Sequence, residues 1–289
     1  MNMARFRLIM SWLLLGTCFS VQAQSHRFIY EVEFKKDSTE SLITKDFYHL
    51  DIIDDDVAYY HRDYFILDSL NSAGVTLSGA SFSGGNPNLS NVITTKTNSD
   101  KYDEFELLEY EALKLVSKPV QTWVLSNETK IIDGMPAQKA ETKWGGRYWT
   151  AWFTKQIPLN YGPYKFHGLP GLILQISDSK NNYNFTLVKS QKLASNKLLR
   201  PLSLFNPANT TDEQYRRKKL SNYEDPLGFI NTTEIAKFKD EVKGIYLKDG
   251  TMVTRDNIRE VRRQQQKMIK KYNNPIELDK AIHYPEKGD

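Results

Sequence analysis

The side chains able to do chemistry are scattered along this chain. His49, His61, His167 and His283 fall at no paired-ligand spacing, and no His-Glu-x-x-His stretch exists, so the sequence names no metal site. Ser81 and Ser83 lie near glycines, but the Gly-x-Ser-x-Gly turn that exposes a nucleophilic serine is missing. His61 and Asp63 stand two apart in a strand-like run, a spacing that permits a site without arguing for one. His167, beside a glycine turn, is weighed as a catalytic or a hydrogen-bonded structural histidine. Asp54-Asp55-Asp56 lacks the alternating spacing and distal glutamate of a calcium loop and reads as a hairpin tip. No residue is therefore assigned as catalytic, and no cofactor or metal is implied.

What is unusual is the segment from Trp144 to Asp178. It holds Trp144, Trp149 and Trp152, three of the five tryptophans, with Tyr148, Phe153, Tyr161, Tyr164 and Phe166. Tyr148 and Trp152 alternate onto one strand face, Trp149 and Phe153 onto the other. Either both faces are core, or one is a ring-lined groove for an acyl chain, sugar or extended peptide. The groove reading nominates Tyr148, Trp149, Trp152, Tyr161, Tyr164, Phe166 and His167 as ligand-binding residues.

The elements that must position these residues are strands first and helices last. Arg27 to Phe34 sends Phe28, Tyr30, Val32 and Phe34 one way and Arg27, Glu31 and Glu33 the other, a half-buried strand. Asp46 to Ile53, Val57 to Leu67, Phe105 to Tyr110, Gln121 to Ser126, Ala137 to Lys143 and Asn182 to Val188 read as further strands, with a turn at Asp133-Gly134. Gly74 to Asn98 reads as a long loop or irregular hairpin. Asn231 and Glu234 make a capping-box pattern before Ile235, Phe238 and Val242, and Arg255 to Tyr272 carries a thin stripe of Ile258, Val261, Met268 and Tyr272; both predict helices.

Composition bounds the class. The chain has 289 residues, 40% hydrophobic and 26% charged, the profile of a globular protein. Arg5 and Arg7, the apolar run Leu8 to Phe19 and Val21-Gln22-Ala23 have the order of a secretory signal over residues 1–23. Cleavage would lower the formal charge from +4 to +2, since Arg5 and Arg7 leave with no acid, and would remove Cys18, the only cysteine. Such a balance does not point to nucleic acid. The basic tracts Arg216-Arg217-Lys218-Lys219 and Arg259 to Lys271 read as solvated helix faces, or as surfaces for anionic headgroups or an acidic partner. The expectation is one domain over 24–289, strand-rich over 27–190 and helix-containing over 195–289, exported to the periplasm or outer surface.

Gly168-Leu169-Pro170-Gly171-Leu172-Ile173, preceded by Gly162-Pro163-Tyr164-Lys165-Phe166, resembles the signature of the GLPGLI family of exported bacterial proteins. Tyr30-Glu31-Val32, Ile132-Asp133-Gly134 and Asn274-Pro275-Ile276-Glu277-Leu278 are similar to its opening, midpoint and closing motifs. The resemblance implies an exported protein and no defined activity. By fold analogy it implies an α+β architecture, a curved antiparallel half-barrel like that of periplasmic lipid and lipoprotein carriers, with C-terminal helices. The motif itself either bends the sheet and starts a strand, or lets a ligand backbone come close to its glycines. The reading that follows is a non-enzymatic envelope protein holding a lipid, peptide or glycan, or a protein partner; a hydrolase with a dispersed histidine and carboxylate site, or a structural role, are its rivals.

Overall fold

A computed structural model describes residues 25–66, 92–108, 111–193, 207–230, 244–247 and 250–285. The expected signal segment with Cys18, the serines Ser81 and Ser83, and the expected helix from Asn231 to Val242 lie outside the described residues.

The chain forms two antiparallel meanders. The first runs β1 (His26–Phe34), β2 (Thr44–Ile53), β3 (Asp56–His61), β4 (Val92–Lys96), β5 (Tyr102–Leu108) and β6 (Glu111–Ser117). The second runs β7 (Val124–Ile132), β8 (Met135–Trp144), β9 (Arg147–Thr154), β10 (Leu172–Asp178) and β11 (Tyr183–Lys192). Pairing of β1 with β11 joins them, Phe34 opposite Tyr183 and Val32 opposite Phe185, and a short β12 (Ala208–Asn209) adds parallel to β6. The result is a large, curved sheet of 12 strands with β12 and β7 at its edges, and it does not close.

Alternation explains which face is buried. Phe28, Tyr30, Val32 and Phe34 of β1 meet Tyr48, Leu50 and Ile52 of β2, Trp149, Ala151 and Phe153 of β9, and Tyr183 and Phe185 of β11 in one core cluster. The loop between β9 and β10 lies over this face and adds Tyr161, Tyr164, Phe166 and Leu169. Gly171 shows why that crossing needs glycine: an added Cβ would sit 2.1 Å from the carbonyl oxygen of Thr154 on β9. The tight approach in the GLPGLI stretch is thus made by the chain's own backbone. Gly168, with φ +91, adopts the left-handed geometry that only glycine takes freely.

Several boundaries move from the expected ones. The third strand stops at His61 rather than Leu67: residues 62–66 are helical, and the Asp63 amide donates to His61 Nδ1 at 3.2 Å, turning the chain off the sheet. The span from Gly74 to Asn98, read as a long loop or irregular hairpin, contains β4 near its end, whose Ile93 lies opposite Tyr59. The strand expected over Gln121 to Ser126 starts at Val124 and runs to Ile132. Asp54 and Asp55 form the β2–β3 tip, Asp54 with φ 51.

Two helices pack together beyond β12, α1 (Asp212–Glu224) and α2 (Ile258–Lys271). Thr211 caps α1, accepting from the Gln214 amide while the Gln214 side chain accepts from the Thr211 amide. Ile258 and Val261 of α2 pack on Leu227, Ile230 and Val253, forming a small separate core. Among the described residues no helix is long and apolar enough to cross a membrane.

Candidate binding cleft

The rings weighed as core or groove divide between the two faces of β9. Trp149, Phe166, Tyr164 and Tyr161 pack into the core, with Trp149 and Phe166 edge to face at 4.7 Å and Trp144 and Phe166 at 5.2 Å. Such pairs add to area burial and leave the ring faces to one another. Tyr148 and Trp152 point to the opposite face. Tyr148 is 61% exposed under the Lys143 ammonium, and Trp152 is half-buried with Lys130 Nζ 4.3 Å from its ring centre. His167 is half-buried beside the Tyr102 ring; its backbone carbonyl accepts from Trp123 Nε1 at 2.8 Å and its Nδ1 lies 2.9 Å from the Lys165 carbonyl. His167 therefore helps to seat the loop, and His61 lies elsewhere, 2.7 Å from Asp46. Leu169, Leu172 and Ile173 are core, while Pro170 is exposed.

An open cleft lies at the β5–β6 end of the sheet. Here a cleft of about 570 Å³ is bounded by β5, β6, α1, α2 and the segment 273–284. Leu107, Leu108 and Leu115 supply an apolar wall from the sheet, and Met268, Ile269 and Ile282 supply one from α2 and the C-terminal segment. The floor is ionic. Glu104 and Glu106 stand on the face of β5 that carries Tyr102 into the core, and both are buried.

A fully buried lysine joins this floor to the C-terminal segment. Lys165 Nζ donates to Glu104 Oε1 at 2.8 Å and to Glu277 Oε1, which also accepts from the Tyr164 hydroxyl at 2.8 Å. Lys280 binds the other oxygen of Glu277 at 3.1 Å. Burial works to raise the Glu277 carboxyl, but Lys165 and Lys280 outweigh it and hold the group below the usual glutamate range. Glu106 is likewise engaged, by Lys219 Nζ and by the Tyr215 hydroxyl, whose own ionisation is pushed up by burial and then by Glu106.

Arg147 anchors the same segment. It donates to Asp178 Oδ2 at 3.2 Å, to Asn274 Oδ1 and the Pro275 carbonyl at 2.7 Å each, and to the Ile276 carbonyl at 3.0 Å. The Asn-Pro-Ile-Glu-Leu run noted in the sequence is thus the strap that carries Glu277 to the cleft floor. None of the cleft carboxylates was nominated from sequence. The available signal was small: Glu104 and Glu106 share a strand face with Tyr102, where a carboxylate is out of place unless paired. Among the described residues, no group of three or more histidine, cysteine or acidic side chains is arranged to hold a metal ion.

The comparisons cover parts of this structure. A protein-family model described as "Protein of unknown function (Porph_ging)" matches residues 138–175, which include β9 and the Gly168–Ile173 stretch. No curated protein sequence matches the chain. Among solved structures, two crystal forms of PNGF-II are similar, at 17% and 18% identity, covering 68% and 65% of this chain with TM-scores of 0.47 and 0.44. The chain spans about a third of those chains, 33% and 31%. The LolA superfamily protein NE2245 from Nitrosomonas europaea is similar at 8% identity over 60% of this chain and 88% of that one, with a TM-score of 0.26.

Proposed function

We propose that this chain is an exported binding protein that holds a small amphipathic ligand in the cleft between β5, β6, α1, α2 and the C-terminal strap. The observation that carries the reading is the cleft's two-sided chemistry: apolar walls from Leu107, Leu115, Met268 and Ile282 stand over a floor of buried, fixed charges. Its volume of about 570 Å³ falls within the roughly 300 to 1,000 Å³ of small-molecule sites. The signal-like residues 1–23 support export, and the ligand class is narrower than the lipid, peptide, glycan or protein partner suggested by the aromatic strands.

Binding fits this floor better than hydrolysis does. A general acid needs a carboxyl that keeps its proton near neutral pH, whereas Glu277 is held ionised by two lysines. The test is native mass spectrometry of protein purified without detergent, beside an Ile269→Trp variant that fills the cleft. A bound small molecule in the parent that is absent from the variant is expected. The same adduct in both proteins, or bare protein in both after incubation with amphipath mixtures, overturns the reading.

A further inference from the structure

The cleft's ionic groups divide into those already engaged and those still open. Lys219 is taken up by Glu106, Lys280 by Glu277, and Lys165 by Glu104 and Glu277. What stays open is mainly acceptor. Glu104 is buried and lines the cleft, yet only its Oε1 is bonded; Oε2 carries no partner among the described residues. The lining residue Asn222 has a buried Oδ1 with no hydrogen-bond partner. Asp212 and Asp279 at the rim form no ion pair among the described residues, against Arg216 as the one lining cation there in the same condition. Asn222 Oδ1, buried without a donor, is costly as it stands, and Glu104 Oε2 remains an open charged acceptor, so a ligand that brings N–H groups gains at both.

We propose that the ligand of this cleft is a cationic amphipath, with a primary ammonium or guanidinium head placed at Glu104 and an alkyl or aryl body lying along Leu107, Leu115, Met268 and Ile269. This assignment rests on the cleft being a binding site, and it commits the head to a positive charge. An anionic head would meet Glu104, Asp212 and Asp279 with only Arg216 uncommitted. A neutral hydroxyl would offer one donor where an ammonium offers three.

The experiment uses three probes of matched body: n-octylamine, 1-octanol and n-octanoate, each titrated below its micelle concentration and followed by calorimetry. Octylamine is expected to bind at least about tenfold tighter than octanol, with octanoate weakest, as a charge-assisted hydrogen bond implies. Glu104→Gln should erase the preference for the amine while octanol binding persists. Because Glu104 also supports Lys165, the exposed Asp212→Lys serves as a second variant that spares the core, and it should weaken octylamine about two- to threefold and strengthen octanoate. Equal binding of all three probes, each lost in Ile269→Trp, overturns the cationic assignment and leaves the cleft reading standing. No binding of any probe, or binding unaffected by Ile269→Trp, overturns both.

Discussion

The Arg147 guanidinium donates from Nη2 to Asn274 Oδ1 at 2.7 Å, across 127 positions of sequence. Asn274 answers in two further directions: its Nδ2 donates to the Lys35 carbonyl at 2.7 Å, and its own carbonyl accepts from the Tyr183 hydroxyl. One arginine on β9 thereby ties the strap to the turn after β1 and to the start of β11, and fixes where Glu277 stands.

Removing that anchor should be costly. Arg147→Met takes the cation from Asp178, which keeps only the neutral donors of Asn182 and Tyr183, and leaves the Pro275 and Ile276 carbonyls without the guanidinium; loss of one partner of a buried pair typically costs about 3 to 5 kcal/mol. Chemical denaturation should register a drop of that size. Arg147→Lys, which keeps the charge but not the planar fork, should recover less than half of it.

Lys165→Met should destabilise by a similar amount, about 3 to 5 kcal/mol, because Glu104 and Glu277 would be left facing each other with the buried cation gone. Adding Glu104→Gln to Lys165→Met should restore part of the loss. A double variant that is merely the sum of its parts would break the linkage, and urea unfolding of the four proteins measures it.

The two faces of β9 give a matched contrast. Trp149→Ala removes a fully buried ring packed on Phe166 and Phe185 and should cost about 3 to 5 kcal/mol. Tyr148→Ala, on the exposed face, should stay within about 0.5 kcal/mol of the parent. Thermal melts of both variants check the pair.

At Gly171 the expected failure is of folding yield. Gly171→Ala drives a Cβ into the Thr154 carbonyl, and neither backbone has a flexible end that could yield. Soluble yield and the melting temperature should both fall sharply. Pro170→Ala, one residue earlier and exposed, should be mild by comparison.

His49 gives the pH dependence. Burial first, then the neighbouring Arg27, pushes its imidazole down to about 4 from an ordinary value near 6.5. The folded state keeps His49 neutral while the unfolded chain takes up a proton as pH falls below 6.5. The stability present above pH 6.5 is therefore lost progressively down to about pH 4, by up to about 3 kcal/mol. His49→Phe, seated between the Tyr60 and Phe65 rings, should flatten that stretch of a stability profile measured between pH 4 and 7.

What the sequence could and could not reveal follows the range of the forces involved. The faces of β1 and β11 were legible because alternation is a local pattern, and the turn at Asp133-Gly134 announced itself by residue type. Helix α1 was read only through its basic tract Arg216–Lys219, without bounds: Tyr215, Leu220 and Tyr223 make too sparse a stripe among its charges, and the Thr211–Gln214 capping box marks its start. The central rings were located, but whether they lined a hollow depended on where residues 155–171 lay. The cleft was invisible for a similar reason, since Glu104, Lys165 and Glu277 find one another across separations of 61 and 112 residues.

The seam between β1 and β11 has a bearing on assembly. As the chain emerges, β1 can zip to β2 at once, but its other flank has no mate until some 150 residues later in synthesis. Throughout that interval the nascent half-sheet exposes a row of unpaired amides and carbonyls, an invitation to foreign strands. A helper that shields this bare flank, or a delay in exposing it, would decide how much of the protein reaches its finished form.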